Sequence, residues 1–142
     1  IVTETLELLD QEKHQLVATA TVGQSLLLRI VATANADIPQ LVVGVMLRDR
    51  TGHVVWGTNT WHTGDKIIDV RSGEHVTVEI AFTCTLGPGS YGLAVALSAT
   101  ETHLEKNYEW QDNAIVFDVL NADRPFFIGS TDLDAQFNLR RA

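Results

Sequence analysis

Apolar and polar residues alternate along this chain in runs of five to ten, cut by Gly, Pro, Asn and Asp. A period of two sends successive side chains to opposite faces of a strand, and helical periodicity is almost absent, so the pattern predicts an all-β domain. Short strands are expected over 3–9 and 16–21, joined by the polar turn Asp10-Gln11-Glu12-Lys13, and a long one over 25–34 carries Leu26, Leu28, Ile30 and Ala32 on one face. Further strands follow over 41–49, 53–60, 67–70, 76–84 and 90–100, and 113–119 is the last clear core strand.

The segment Ser90–Thr100, launched by the turn Gly87-Pro88-Gly89, organises the rest. Tyr91, Leu93, Val95 and Leu97 form an ordinary core row, whereas the opposite row is Gly92, Ala94, Ala96 and Ser98. A central strand with so bare an outer face leaves a trough above the sheet, where a ligand can approach the backbone closely.

Asp49-Arg50-Thr51-Gly52 reads as a type I turn with Gly in the left-handed position, closing a three-residue hairpin loop. That loop sets Asp49 opposite His53, Leu47 opposite Val55, Met46 opposite Trp56 and Gly44 opposite Thr58. Trp56 and Thr58 then face outward with Gly44 and Met46. A two-residue loop would flip the second strand and bury Trp56 instead.

Seven or more short strands at this spacing predict an immunoglobulin-like antiparallel β-sandwich, although the Cys–Trp–Cys signature of antibody domains is missing. The strands at 41–49, 53–60, 90–99 and 104–119 are expected to share one sheet. Tyr108 and Trp110 have the parity of Ala114 and Val116 and join the bare face unless a bulge at Gln111-Asp112-Asn113 intervenes. The sandwich accounts for residues 1–120. The extension 121–142 carries Phe126, Phe127, Ile128, Leu133, Phe137 and Leu139, too apolar for a free tail. It is expected to form an extra edge strand, or to pack on a second copy by strand exchange or by covering an edge.

At 142 residues the chain is the size of one domain with a single core. Its formal net charge of −8 would repel nucleic-acid phosphates and an anionic membrane surface alike. No apolar run reaches the length of a membrane span. The single cysteine, Cys84, continues the row Val76, Val78, Ile80, Phe82 and reads as buried filler; the lack of a disulfide leans towards a reducing compartment. The chain starts at Ile1 without Met, which leads us to expect a piece of a longer protein.

Gly87-Pro88-Gly89-Ser90-Tyr91-Gly92 matches the dinucleotide-binding fingerprint by letter but opens a strand rather than a helix, so it cannot aim at phosphate as that motif does. No P-loop and no nucleophile elbow occurs. The five histidines have no metal-ligand spacing; His62 and His103 have the best case for ligand contact. Nothing supports catalysis, a metal or a cofactor. The aromatic residues say more. Trp56, Trp61, Tyr108 and Trp110 fall in two segments rich in Asn, Thr, His, Gln and Asp. Sugar rings want that mixture, a flat apolar surface for the C–H face and polar groups for the hydroxyl edge. The alternative is that these rings plug the sandwich or shield its edge.

One ordered set of motifs carries a family resemblance: Val22-Gly23-Gln24-Ser25 before a long strand, Val43-Gly44-Val45 with Asp49-x-x-Gly52, Gly57-Thr58-Asn59-Thr60, Gly73-Glu74, Leu86-x-Pro88-Gly89-x-Tyr91 and Asn113-Ala114-x-x-Phe117-x-Val119. From about Val22 to Val119 the chain resembles the C-terminal carbohydrate-binding domain of Wzt-type subunits, the nucleotide-binding components of ABC exporters of O-antigen polysaccharide. The resemblance implies an immunoglobulin-like sandwich that recognises the finished polysaccharide and dimerises by exchanging C-terminal strands. It also implies a cytoplasmic site at the inner membrane beside a transmembrane exporter subunit. Such domains bind without catalysing, and ATP hydrolysis belongs to a preceding domain. The aromatic residues on the sheet face vary with the glycan, so individual contacts come from the parity argument. Trp56, Trp61, Tyr108 and Trp110 are expected to stack on sugars, Arg48, Thr58, His62 and Gln111 to bond hydroxyls or an anionic end group, and Ala94 and Ala96 to form the floor. The competing reading is a structural or adhesive sandwich that binds another protein.

Overall fold

The computed structural model describes residues 1–98 and 107–141, without the side chains of 107–110. His103 therefore lies outside the described residues, as do the side chains of Tyr108 and Trp110. Nine strands and one helical turn are described: β1 (Val2–Asp10), β2 (Thr19–Thr21), β3 (Ser25–Thr33), β4 (Ile38–Asp49), β5 (Val54–Asn59), α1 (Thr60–Thr63), β6 (Ile67–Val70), β7 (His75–Thr83), β8 (Gly89–Ser98) and β9 (Asn107–Leu120). They form the expected β-sandwich. One sheet has the order β1-β3-β7; the other has the order β2-β9-β8-β4-β5, with β6 also paired to β4. Strands β4, β5, β8 and β9 share a sheet as their alternation implies. Apart from the parallel β2–β9 pair, every pairing is antiparallel.

The core lies between the sheets. Leu26, Leu28 and Ile30 of β3 meet Val43, Val45 and Leu47 of β4 and Tyr91, Leu93, Val95 and Leu97 of β8, with Phe117 and Val119 of β9. Tyr91 and Phe117 lie ring to ring at 5.9 Å, tilted by 30°. The Tyr91 hydroxyl donates to the carbonyl of Gly87 at 2.7 Å, tying the start of β8 to the turn before it. Burial pushes this phenol's pKa up, so it stays a donor. Cys84 is buried as its row predicts, and burial raises its thiol pKa as well.

Among its described residues, the extension past Leu120 forms no edge strand. Its first part docks on its own sandwich: Phe127 packs against the core, Thr131 bridges to Leu86, and the Gly87 N–H donates to Ser130 O at 3.0 Å. Arg124 ion-pairs with Asp132 and Asp134, at 3.3 Å each, and lies against the backbone at Gly23. Crossing at Gly87 requires glycine, because a Cβ there would overlap the carbonyl oxygen of Gly129. Backbone meets backbone at that point, so neither side can yield cheaply. We expect Gly87→Ala to cost about 1–3 kcal/mol, the usual penalty of overpacking, and to expose 121–132 to limited proteolysis. Thermal melts and digestion patterns check both.

Beyond Asp132 the apolar side chains of the tail lie outside its own core, with Asp134 still paired to Arg124. Leu133, Phe137 and Leu139 are 82–89% exposed, and they alternate with Asp134, Gln136, Asn138 and Arg140 in strand period.

Candidate functional site

The outer face of the larger sheet holds a cleft of about 300 Å³ above β8. Gly44 of β4 pairs with Ala96 and Met46 with Ala94, so the bare row of β8 continues across the neighbouring strand. Ala94 and Ala96 line the cleft while exposing only 3% of their surface. They are the bottom of a trough, not an open shelf. Gly57 and Asn59 of β5 sit opposite Met46 and Gly44 and raise the wall, with His62 of α1 beyond them.

The wall owes its shape to capping chemistry. Asn59 ends β5 in extended conformation, and its side-chain oxygen accepts from the His62 N–H at 2.9 Å, the geometry of an N-cap. The Thr60 hydroxyl accepts from the Val43 N–H at 3.0 Å, pinning the same corner to β4. Gly64, left-handed at φ 78°, closes the turn. A single helical turn thus brings His62 to the trough. Trp61, its neighbour, is half-exposed on α1 and does not line it.

The hairpin behind this wall corrects the expected register. Asp49-Arg50-Thr51-Gly52 forms as anticipated: Gly52 sits at φ 86°, and Asp49 N–H donates to His53 O at 2.9 Å. The Asp49 carboxylate accepts from the Thr51 hydroxyl and from the backbone N–H groups of Thr51 and His53. These bonds, the Thr51 hydroxyl foremost, hold its pKa below the ordinary carboxylate value. The slip comes later. Arg48 pairs with Val54 but Leu47 pairs with Trp56, so Val55 is an extra residue in a bulge. Beyond it every side chain changes face. Trp56 and Thr58, expected outward, pair with the core-facing Leu47 and Val45. Gly57 and Asn59 take the outward positions.

Trp56 is not sealed in, however; it remains 46% exposed. With Val55 it lines a second cavity of about 450 Å³, which opens between the edge strands β5 and β7. Leu28, Ile80 and Phe82 form its other wall, and Ser130 and Thr131 lie at its end.

On the far side of the trough, β9 sets Trp110 opposite Ala96, Gln111 opposite Val95 and Ile115 opposite Leu93. The anticipated bulge is present at 112–114, but it inserts two residues, so parity on either side is preserved. A further shift at Ser98–Asn107 falls beside Tyr108. Gln111, opposite a core-facing residue, is half-buried. Arg48 lies past the end of the trough, where its guanidinium donates to Asp112 at 2.9 Å.

The fold therefore gathers Ala94, Ala96, Thr58 and His62 at one cleft and brings in Gly44, Met46, Gly57 and Asn59. It sends Trp56 to the opposite face and leaves Trp61 on the helix surface. Asn59 carried a signal in the sequence, since Asn before Thr-Trp-His-Thr and Gly is a helix-capping pattern. Among the described residues, no three His, Cys, Asp or Glu side chains converge to hold a metal ion. None of the described helices is long and apolar enough to cross a membrane.

No curated protein sequence matches the chain. Among solved structures, it is similar to a crystal structure of the C-terminal domain of Wzt, at 18% identity and a TM-score of 0.83, over 95% of this chain and 81% of that one. A weaker likeness, at 15% identity and a TM-score of 0.50, covers 85% of this chain and 30% of an alkylpurine DNA glycosylase, AlkC, from Pseudomonas fluorescens. At such identities these likenesses speak for the fold alone. Membership rests on sequence: the family model of the Wzt C-terminal domain matches residues 2–133, almost the whole sandwich with its docked extension. The chain belongs to the Wzt C-terminal domain family.

Proposed function

We propose that this chain is a non-catalytic module that binds a polysaccharide, of O-antigen type, in the trough on the outer face of its larger sheet. In this reading it serves an ABC exporter at the cytoplasmic side of the inner membrane, beside a transmembrane subunit and with ATP hydrolysis on another domain. The observation that supports it best is the cleft itself: a floor of Gly44, Ala94 and Ala96 beneath a wall carrying the amide of Asn59 and the imidazole of His62. A methyl-and-glycine floor lets a ring lie against the sheet, and Asn59 and His62 offer polar atoms to its hydroxyls. Trp110, whose backbone sits opposite Ala96, and Tyr108 beside it are the proposed stacking residues, with Trp61 at the rim.

Titration with the O-polysaccharide of the source organism, followed by calorimetry, tests the reading. Asn59→Ala and His62→Ala are each expected to weaken binding about tenfold, the scale of one well-made hydrogen bond, and Trp110→Ala by more. Trp56→Ala is expected to leave it unchanged. A chain that ignores the polysaccharide, or one that loses it only through Trp56, would rule the trough out.

We also propose that the chain works as a homodimer in which residues 133–139 of each copy lie along β7 of the other and cover the groove at Trp56. Supporting this are the strand-period alternation of the exposed tail and the edge position of β7 among the described strands, beside an open apolar groove.

A further inference from the structure

We infer that the trough takes an uncharged glycan, and that Arg48 is held out of ligand binding by Asp112. This rests on the glycan-binding reading above and narrows its substrate class. Among the described residues, no Asp, Glu, Lys or Arg lines the cleft, and His62 is the one titratable group that does. The nearest cation along β4 on the same face is Arg48, two residues past Met46. It would be the natural partner of a uronate or a phosphate. Its guanidinium instead reaches across β8 to the carboxylate of Asp112.

That reach is built into the backbone. β4 and β9 are not neighbours; β8 runs between them, and Arg48 pairs there with Gly92, which pairs in turn with Val116. The two residues inserted in β9 at 112–114 bring Asp112 and Asn113 back over β8. Asn113 adopts a left-handed φ of 46°, and its side-chain oxygen lies so close above Gly92 that a Cβ there would overlap it. The bare glycine, the strained asparagine and the ion pair form one arrangement, which closes that end of the trough with a neutralised charge.

An acidic sugar entering the trough would shed water from its charge and find no Lys or Arg among the described lining residues. Taking Arg48 from Asp112 exchanges one carboxylate partner for another and leaves the Asp112 charge beside the newcomer. The net charge of −8 adds repulsion at longer range. A neutral ring meets none of these costs.

The test is an array of bacterial polysaccharides, neutral hexose polymers beside uronate- and phosphate-bearing ones, probed at low and high salt. The wild-type chain is expected to retain neutral polymers only, equally at both salt levels. Asp112→Asn, which frees Arg48, is expected to gain about tenfold for the acidic polymers and to lose that gain at high salt. If the wild type prefers acidic polymers, with affinity that falls with salt and with Arg48→Ala, the inference is overturned and glycan binding stands. If it retains no polymer at all, the reading beneath it falls too.

Discussion

A chain ending at Asp132 is expected to sediment as a monomer at concentrations where the full chain is a dimer. The tail it lacks carries Leu133, Phe137 and Leu139, each more than four-fifths exposed on an isolated copy. Burying such a side chain is worth about 1.5–3 kcal/mol, so three contribute roughly 5–9 kcal/mol per tail before the cost of ordering it. Ordering a strand's backbone takes back about 1–2 kcal/mol per residue, and the ladder along β7 together with the filled groove must offset this. Losing the three apolar side chains therefore decides the equilibrium. Phe137→Asp should do nearly the same, by bringing a charge to an apolar groove. The sandwich itself should keep its melting temperature, since Phe127, Thr131 and the Gly87 crossing remain docked. Trp56 supplies the second readout. It sits half-exposed at the groove mouth, so truncation should shift tryptophan emission to the red, and a Trp56→Phe chain should not show that part of the shift. A truncated chain that still dimerises, or a full chain that never does, would place the tail elsewhere.

How far the sequence reveals this fold depends on which signals survive local irregularity. The bare row of β8 is legible because alternation runs unbroken from Tyr91 to Ser98, and burial follows it on the core side. The Asp49–Gly52 turn is legible because only glycine sits easily at a φ of 86°. The bulge at Val55 is not. Val54, Val55 and Trp56 are all apolar, so alternation cannot tell which residue is doubled, and one extra residue turns Trp56 and Thr58 to the other face. At β9 the same kind of irregularity does no such harm, since inserting two residues restores parity. The Arg48–Asp112 pair was out of reach altogether. Its members are separated by 64 positions and meet only because a third strand between them lacks a side chain at Gly92. Turn chemistry and period are local and leave letters behind; bulge position and cross-strand pairing depend on the whole sheet.

Two consecutive residues of β8 should separate binding from stability. Ala96 lies on the floor of the trough and Leu97, 1% exposed, in the core between the sheets. In Ala96→Leu the added carbons project into a cleft of only about 300 Å³, the low end of the usual range for ligand sites. The strand partner on the β4 side is Gly44, which brings no side chain for the new leucine to meet, so the cost in stability is expected to stay near 1 kcal/mol, at the gentle end of overpacking. Binding should fall about a hundredfold or more, equivalent to roughly 2.7 kcal/mol, because the ring can no longer reach the sheet. Leu97→Ala should reverse the pattern. It removes core volume at a cost of about 2–5 kcal/mol while leaving the floor and wall of the trough in place, so the molecules that remain folded should bind as before. Calorimetric titration and thermal melts of the two variants, side by side, check both halves. If Ala96→Leu bound the polysaccharide like wild type, the ligand would have to sit somewhere other than above β8.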